Sequence, residues 1–178
     1  MIRGELINLR PVERTDARFV HALLNQPSVQ SGWGTEGVPR SMHAVESDLE
    51  QWIESERTAG YPAALIIETL GGSAAGLMVL VRSTRYQQAM ITLSLAIDAA
   101  YQRQGIGWEA LTLLTVTLHD EWHIHRVQLT CEVGNTAAIA LYESIGYHRE
   151  ATKRDATFTG GGYHDQHIYS ALPGEVVL

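Results

Sequence analysis

Several features that define particular protein classes are scarce in this sequence. It holds one cysteine, Cys131, so the chain has no disulfide framework. No run approaches the roughly 18 apolar residues of a membrane-spanning helix, and the N-terminal segment lacks an apolar signal core. Lys and Arg number 13 against 20 Asp and Glu, a net charge of −7, which disfavours nucleic-acid binding and is compatible with an amine substrate. We therefore expect a soluble cytoplasmic protein that binds neither nucleic acid nor membrane.

Two common phosphate-binding motifs are also absent. The sequence has neither a Walker loop nor three glycines near its first strand, as a dinucleotide fingerprint requires. It does have Gln-Arg-Gln-Gly-Ile-Gly at residues 102–107, between a strand-like run at 90–97 and a helix-like run at 108–119. A glycine-containing loop in this setting directs backbone N–H groups and the positive end of the helix dipole at one place. The pattern predicts a site for a phosphate or pyrophosphate.

The spacing of apolar residues predicts one α/β domain over residues 1–178, with a loose tail from about residue 173. The segment 27–39 is rich in Gly, Ser and Pro and is predicted to be a loop. Helices are expected near residues 16–25, 42–59, 108–119 and 136–144. Strands are expected near residues 6–10, 63–69, 75–81, 90–97, 127–133, 150–158 and 167–172.

Three further segments accompany the loop at 102–107. Residues 9–11 are Leu-Arg-Pro, residues 135–147 are NTAAIALYESIGY, and residues 162–165 are Gly-Tyr-His-Asp. Taken in the order in which they occur along the chain, the four segments resemble the GCN5-related N-acetyltransferase (GNAT) superfamily. Its motifs are Gln/Arg-x-x-Gly-x-Gly/Ala and Asn-x-x-Ala-x-x-Leu-Tyr-x-x-x-Gly-Phe, and Tyr147 replaces the final Phe. The chain is most similar to the bacterial branch that acetylates ribosomal-protein N-termini, spermidine and free L-amino acids.

The resemblance implies an α+β fold with a mixed, mostly antiparallel sheet of seven strands and about four helices. Its fourth and fifth strands, here 90–97 and 127–133, would splay apart around acetyl-CoA, the co-substrate, and no metal is expected. Backbone groups of Leu95, Ala96 and Ile97 would pair with the pantetheine arm. The other residues expected to bind acetyl-CoA are Gln102, Arg103, Gln104, Gly105, Ile106, Gly107, Trp108, Asn135 and Tyr142.

The resemblance also implies catalytic roles. Tyr142 would be the general acid that protonates the departing thiolate. The predicted fourth strand has no carboxylate to act as the base, and Glu132 on the fifth strand is our candidate. Ser94 acting through water, Glu68 and an ordered water chain are the alternatives. In purely structural terms, Asn135 could be a helix N-cap and Tyr142 a packed core residue.

The acceptor site is expected between the first two helices, their loop and the last hairpin. Its candidate residues are Trp33, Glu36, Tyr163 and His164. We predict an acetyl-CoA-dependent N-acetyltransferase that acts on the primary amine of a small molecule, possibly a free amino acid or analogue, in a ternary complex. The alternatives are a protein N-terminal acetyltransferase of the ribosomal-protein type and a non-catalytic, CoA-binding regulatory member. Homodimers are common in the family, and one is possible here.

Overall fold

A computed structural model describes residues 1–33, 35–83 and 90–177. In these residues the framework is one sheet of eight strands in the order β1-β2-β3-β4-β5-β6-β8-β7. The strands are β1 (Ile2–Arg3), β2 (Ile7–Pro11), β3 (Ala64–Thr69), β4 (Ala74–Ser83), β5 (Met90–Ile97), β6 (Arg126–Glu132), β7 (His148–Thr159) and β8 (Gly162–Ala171). The α-helices are α1 (Ala17–Leu24), α2 (Pro27–Gly32), α3 (Met42–Ala59), α4 (Ile106–Asp120) and α5 (Thr136–Ile145).

The predicted α+β class is confirmed, but the described residues contain one strand and one helix more than expected. The extra strand, β1, is a two-residue pairing with β2. The extra helix, α2, lies in the segment predicted to be a loop, of which Gly34 is outside the described residues. Pro27 occupies the first turn of α2, where its fixed φ suits a helix and its missing N–H costs nothing.

The sheet opens between β5 and β6. All neighbouring strands are antiparallel except this parallel pair. β5 pairs with β4 along its whole length, but with β6 only from Met90 to Thr92. Beyond Thr92 the two strands are no longer paired, which agrees with the splay predicted between 90–97 and 127–133. We call this opening the β5–β6 gap.

Different helices cover the two faces of the sheet. α4 and α5 pack on one face, where Leu111 and Leu114 of α4 are fully buried. α1 and α3 pack on the other, where Val20, Val45 and Leu49 are buried. Each face therefore has a core of its own. Burying one such side chain contributes about 1.5–3 kcal/mol to stability.

An ion-pair cluster fastens the start of α1 to the sheet. Both terminal nitrogens of Arg10 on β2 donate to Asp16 at 2.8 Å, and Nε donates to Glu68 of β3 at 2.8 Å. Burial raises the pKa of Asp16, but the Arg10 hydrogen bond and charge outweigh it, so the net shift is downward. Glu68 is therefore engaged by Arg10, which does not favour it as a catalytic base.

The C-terminal segment is more ordered than the predicted loose tail. Val176 is only 4% exposed and belongs to the core, and the carboxylate of Glu175 accepts a hydrogen bond from the Leu172 N–H at 2.8 Å. Gly146 ends α5 with φ 110°, and a Cβ at this position would overlap the carbonyl of Glu175. The prediction was wrong because an apolar residue near the end of the chain finds a site beside this glycine. Leu178 lies outside the described residues.

Candidate active site

The glycine-containing loop leads directly into α4. Gly105 is the N-cap of this helix and has φ 81°, a conformation that glycine adopts without a steric penalty. The free N–H groups of the first turn of α4 therefore open at one end of a cavity of about 450 Å³, called here the larger cavity. Its lining residues are Ser28, Val29, Gly32, Trp33, Leu95, Ala96, Ile97, Gln102, Arg103, Gly105, Gly107, Trp108, Thr130, Cys131, Asn135, Ala137, Ala138, Leu141 and Tyr142.

Two residues that were predicted to bind acetyl-CoA do not line this cavity. Ile106 is buried in the core, because the first residue of α4 points inward from the turn. The side chain of Gln104 turns back and donates to the Ala100 carbonyl at 2.8 Å. Neither residue lines the larger cavity, although both belong to the loop that shapes it.

Backbone direction on β5 decides which groups face the gap. The N–H of Asp98 donates to the carbonyl of Ala75 on the β4 side at 2.9 Å. Since backbone groups alternate along a strand, Ala96 also directs its N–H and carbonyl at β4, whereas Leu95 and Ile97 direct theirs into the β5–β6 gap. Ala96 lines the cavity, but its predicted backbone pairing with the pantetheine arm is wrong.

Side chains already donate hydrogen bonds to the carbonyls of Leu95 and Ile97, which face the gap. The indole N–H of Trp33 donates to the Leu95 carbonyl at 3.1 Å, and the Gln102 amide donates to the Ile97 carbonyl at 3.0 Å. The N–H groups of Leu95 and Ile97 remain directed into the gap. A ligand in the gap would therefore find backbone donors, and would share or displace the side chains at the carbonyls.

Asn135 and Tyr142 stand two turns apart on one side of α5. The side-chain oxygen of Asn135 accepts from the Ala138 N–H at 3.1 Å, so this residue is an N-cap that also lines the larger cavity. Tyr142 is only 7% exposed and packs edge-on against Tyr169, yet no hydrogen bond to its hydroxyl is found in the described part of the chain. Burial, together with nearby Cys131 and Tyr169, raises the pKa of Tyr142. The phenol is therefore held in its proton-donating form.

A second, smaller cavity of about 150 Å³ adjoins the first through the β5–β6 gap. Side chains alternate along β6, so Cys131 lines only the larger cavity and Glu132 only the smaller one. Both cavities share Gly32, Trp33, Leu95, Thr130 and Tyr142. The remaining residues of the smaller cavity are Leu93, Ser94, Glu132, Thr157 and Gln166.

The electrostatics of the smaller cavity depend on Glu132. One carboxylate oxygen, Oε1, accepts hydrogen bonds from the Thr157 hydroxyl at 3.0 Å and the Thr159 hydroxyl at 2.6 Å. Among the described residues, none donates to Oε2, and no Lys or Arg lines the cavity. The cavity thus presents one oriented negative charge and suits a cationic group.

Three predicted acceptor residues lie outside both cavities because the last hairpin extends beyond them. The carboxylate of Glu36 accepts from the Gly160 N–H at 2.8 Å and ties the loop after α2 to the hairpin turn. Tyr163 is 69% exposed and packs edge-on against Phe158. His164 contacts the Thr159 carbonyl at 3.1 Å. Of the four predicted residues, the structure brings only Trp33 into the site.

The helix α2, whose C-cap is Trp33, was not predicted from the sequence. We call α2 and Trp33 together the strap. Gln26, just before α2, donates to the Asp98 carboxylate at 2.8 Å and accepts from the Ala99 N–H at 3.1 Å. Trp33 ties the other end of the strap to Leu95 of β5, so its two ends are held by β5 and by the residues directly after it. The sequence signal for α2 was Pro27, which follows the end of α1 and occupies the first turn of the new helix.

Two kinds of feature are absent from the described ranges. No three His, Cys, Asp or Glu side chains there lie close enough together to hold a metal ion. No helix there is long and apolar enough to span a membrane.

Comparison with known proteins agrees with this geometry. The model of the acetyltransferase (GNAT) domain matches residues 7–148. The chain is 27% identical to the spermidine N(1)-acetyltransferase of Escherichia coli (strain K12), over 97% of this chain and 94% of that protein. It is 38% identical to the ribosomal protein bS18-alanine N-acetyltransferase of the same strain, over 45% of this chain and 53% of that protein.

Solved structures share the fold at lower identity. The spermidine N-acetyltransferase of Vibrio cholerae, in complex with CoA and spermine, has a TM-score of 0.85 and 23% identity, covering 97% of this chain and 98% of that one. RimL, a ribosomal L7/L12 α-N-protein acetyltransferase in complex with coenzyme A, has a TM-score of 0.84 and 19% identity, covering 96% and 97%. The resemblance drawn from the four sequence segments is confirmed.

Proposed function

The chain belongs to the GNAT family of acetyltransferases, and we propose that it transfers the acetyl group of acetyl-CoA directly to a primary amine while both are bound. The observation that carries this proposal is the meeting of two unlike cavities at the β5–β6 gap. The larger one offers backbone donors and a helix N-terminus, and the smaller one offers a carboxylate. Tyr142 lines both and stands where they join.

The residues of the larger cavity fit acetyl-CoA, which supplies the acetyl thioester. The first-turn N–H groups of α4 and the guanidinium of Arg103 suit a pyrophosphate. The N–H groups of Leu95 and Ile97 suit amide carbonyls. Gly107 provides room, because a Cβ there would extend into the cavity between Ile97 and Leu141, at 3.6 and 3.8 Å.

Tyr142 is proposed as the general acid. As the amine nitrogen bonds to the acetyl carbon, the carbon–sulfur bond breaks and Tyr142 gives its proton to the leaving sulfur. The nitrogen then loses its second proton on becoming an amide, and this proton restores the Tyr142 phenol. Its raised pKa keeps the phenol protonated, and its free hydroxyl needs no other bond to be broken first.

Glu132 is proposed as the group that binds the ammonium and takes its proton before attack. It lies on the acceptor side of β6, and its Oε2 is without a donor among the described residues. Ser94 lines the same cavity and stays an alternative relay through water. Glu68 lines neither cavity and is fixed by Arg10.

The acceptor is proposed to be a small amine without a neighbouring carboxylate. The free amino acid suggested by sequence resemblance would bring a carboxylate beside Glu132, and no described cation lines the cavity to compensate it. An alkylamine or polyamine meets the condition, and so does a peptide N-terminus, whose carbonyl is an amide. The relatives that act on spermidine and on a ribosomal-protein alanine fit these two classes. Because the smaller cavity is about 150 Å³, we favour the small amine.

The test is thiol release from acetyl-CoA with matched pairs of acceptors that differ by one carboxylate. Putrescine is paired with ornithine, and alaninamide with alanine. We expect the carboxylate-free member of each pair to react faster by at least about tenfold in kcat/KM, the discrimination typical of one uncompensated charge. Faster reaction of the amino acids would overturn the substrate class. No release with any amine, despite acetyl-CoA binding, would instead support a regulatory member.

A further inference from the structure

The long edge strand β7 has one buried residue, and that residue is polar. From His148 to Phe158 the side chains of β7 are exposed or half-exposed, whereas Thr159 is 7% exposed. A fully buried threonine needs a hydrogen-bond partner, and the hydroxyl of Thr159 donates to Glu132 at 2.6 Å. The only buried residue of β7 thus binds the carboxylate of Glu132 in the smaller cavity.

The contact crosses an intervening strand. β8 lies between β6, which carries Glu132, and β7, which carries the threonines. The register of β7 against β8 shifts between Lys153 and Thr157, where Asp155 has φ 48° and its N–H is held by Asp165 at 3.0 Å. Such a bulge bends a strand and increases its twist. The bend carries the end of β7 towards Glu132.

The two hydroxyls also fix which carboxylate oxygen is free. Thr157 and Thr159 both donate to Oε1, so the carboxylate cannot rotate without losing two hydrogen bonds. Oε2 is then the oxygen available to a ligand. Thr157 is the weaker partner, because its hydroxyl also lies 3.5 Å from the His164 carbonyl.

We propose that Thr157 and Thr159 are positioning residues that hold Glu132 with one oxygen anchored and the other presented to the acceptor amine. This inference deepens the proposed function and rests on the role given there to Glu132. Neither threonine touches the reacting atoms in this scheme. They act through the carboxylate, by orienting it.

Other titratable groups surround this carboxylate. Tyr142 of α5 lines the same cavity, and Lys153 and His164 belong to the hairpin beside it. Glu36 reaches the hairpin turn at Gly160. The experiment therefore changes the threonine hydroxyls alone and leaves these groups in place.

The primary variant is Thr159→Val, which keeps the shape of the side chain and removes the hydroxyl. Without this hydrogen bond the carboxylate is freer to turn, so Oε2 is no longer held towards the amine. We expect kcat/KM for the amine to fall by about tenfold, while KM for acetyl-CoA stays the same. Thr159→Ser should restore kcat/KM. Thr152→Val is the matched control, since the Thr152 hydroxyl on the same strand contacts His167 instead.

A second measurement needs no turnover. Binding of putrescine to the enzyme loaded with CoA, measured by calorimetry, should be weaker in Thr159→Val and in Glu132→Gln than in the wild type and Thr152→Val. If Glu132→Gln lowers kcat/KM for the amine but Thr159→Val leaves both kcat/KM and amine binding unchanged, the positioning role is overturned. If Glu132→Gln itself leaves activity unchanged, the fault lies in the proposed role of Glu132.

Discussion

The two cavities differ in how the chain builds them. The larger cavity is formed mainly by two short continuous segments, 95–108 and 135–142, and offers many backbone groups. The smaller cavity gathers single side chains from distant positions, among them Trp33, Ser94, Glu132, Thr157 and Gln166. A site made of backbone groups from one segment has a recognisable local sequence pattern. A site of scattered side chains depends on how distant strands pair. The first can be predicted from sequence, and the second is seen only in the fold.

The largest effect is expected where the cavities join. Tyr142→Phe removes the proposed proton donor and keeps the ring that packs on Tyr169. We expect kcat to fall by about 10²–10⁴-fold, the usual contribution of a positioned acid, while CoA affinity measured by calorimetry stays the same. Tyr163→Phe is the matched control, because that phenol is exposed on the hairpin. An unchanged kcat would remove Tyr142 from the mechanism.

The same residue predicts a pH dependence. Burial raises the pKa of Tyr142 above the ordinary value of about 10. An acid is lost as pH rises through its pKa, so the wild-type kcat should show no decline from this group up to about pH 10. A basic limb near neutral pH that disappears in Tyr142→Phe would contradict this assignment.

More of the predicted residues line the larger cavity than the smaller one. Gln102, Arg103, Gly105 and Gly107 of the motif at 102–107 line the larger cavity, because loop and helix are contiguous. Ile106 does not, because one residue of helical rotation turns it inward, and the Gln104 side chain turns back to Ala100.

Glu132 and Trp33 line the smaller cavity, but Glu36, Tyr163 and His164 lie outside it. Thr157 and Thr159 were missed because their position depends on a bulge between Lys153 and Thr157 that no local pattern announces.

A change confined to the larger cavity should affect CoA alone. In Gly107→Val, the two methyl groups extend beyond a Cβ that already meets Ile97 and Leu141 at 3.6 and 3.8 Å, and they enter the space proposed for CoA, a clash on the order of 1–3 kcal/mol. We expect CoA affinity to fall by about 5- to 150-fold in calorimetry. Gly134→Val is the control, since a Cβ there meets nothing within 4 Å. Equal affinity in the two variants would place the ligand elsewhere.

The smallest effect is expected from the shared wall. Trp33→Phe keeps an aromatic ring but frees the Leu95 carbonyl, which faces the β5–β6 gap. The indole and a ligand in the gap compete for that carbonyl, and one hydrogen bond contributes about 1 kcal/mol net, so we expect CoA to bind about fivefold more tightly. Trp52→Phe on α3 makes the same change away from both cavities. Weaker binding in Trp33→Phe alone would mean that the indole supports the cavity wall.

The account depends most on two ligands occupying two cavities at once. Initial rates of thiol release, measured over a grid of acetyl-CoA and amine concentrations, test this directly. Direct transfer in a ternary complex predicts double-reciprocal lines that intersect. Parallel lines would indicate an acetylated enzyme as an intermediate, with one ligand leaving before the other arrives, and would contradict the two-cavity mechanism.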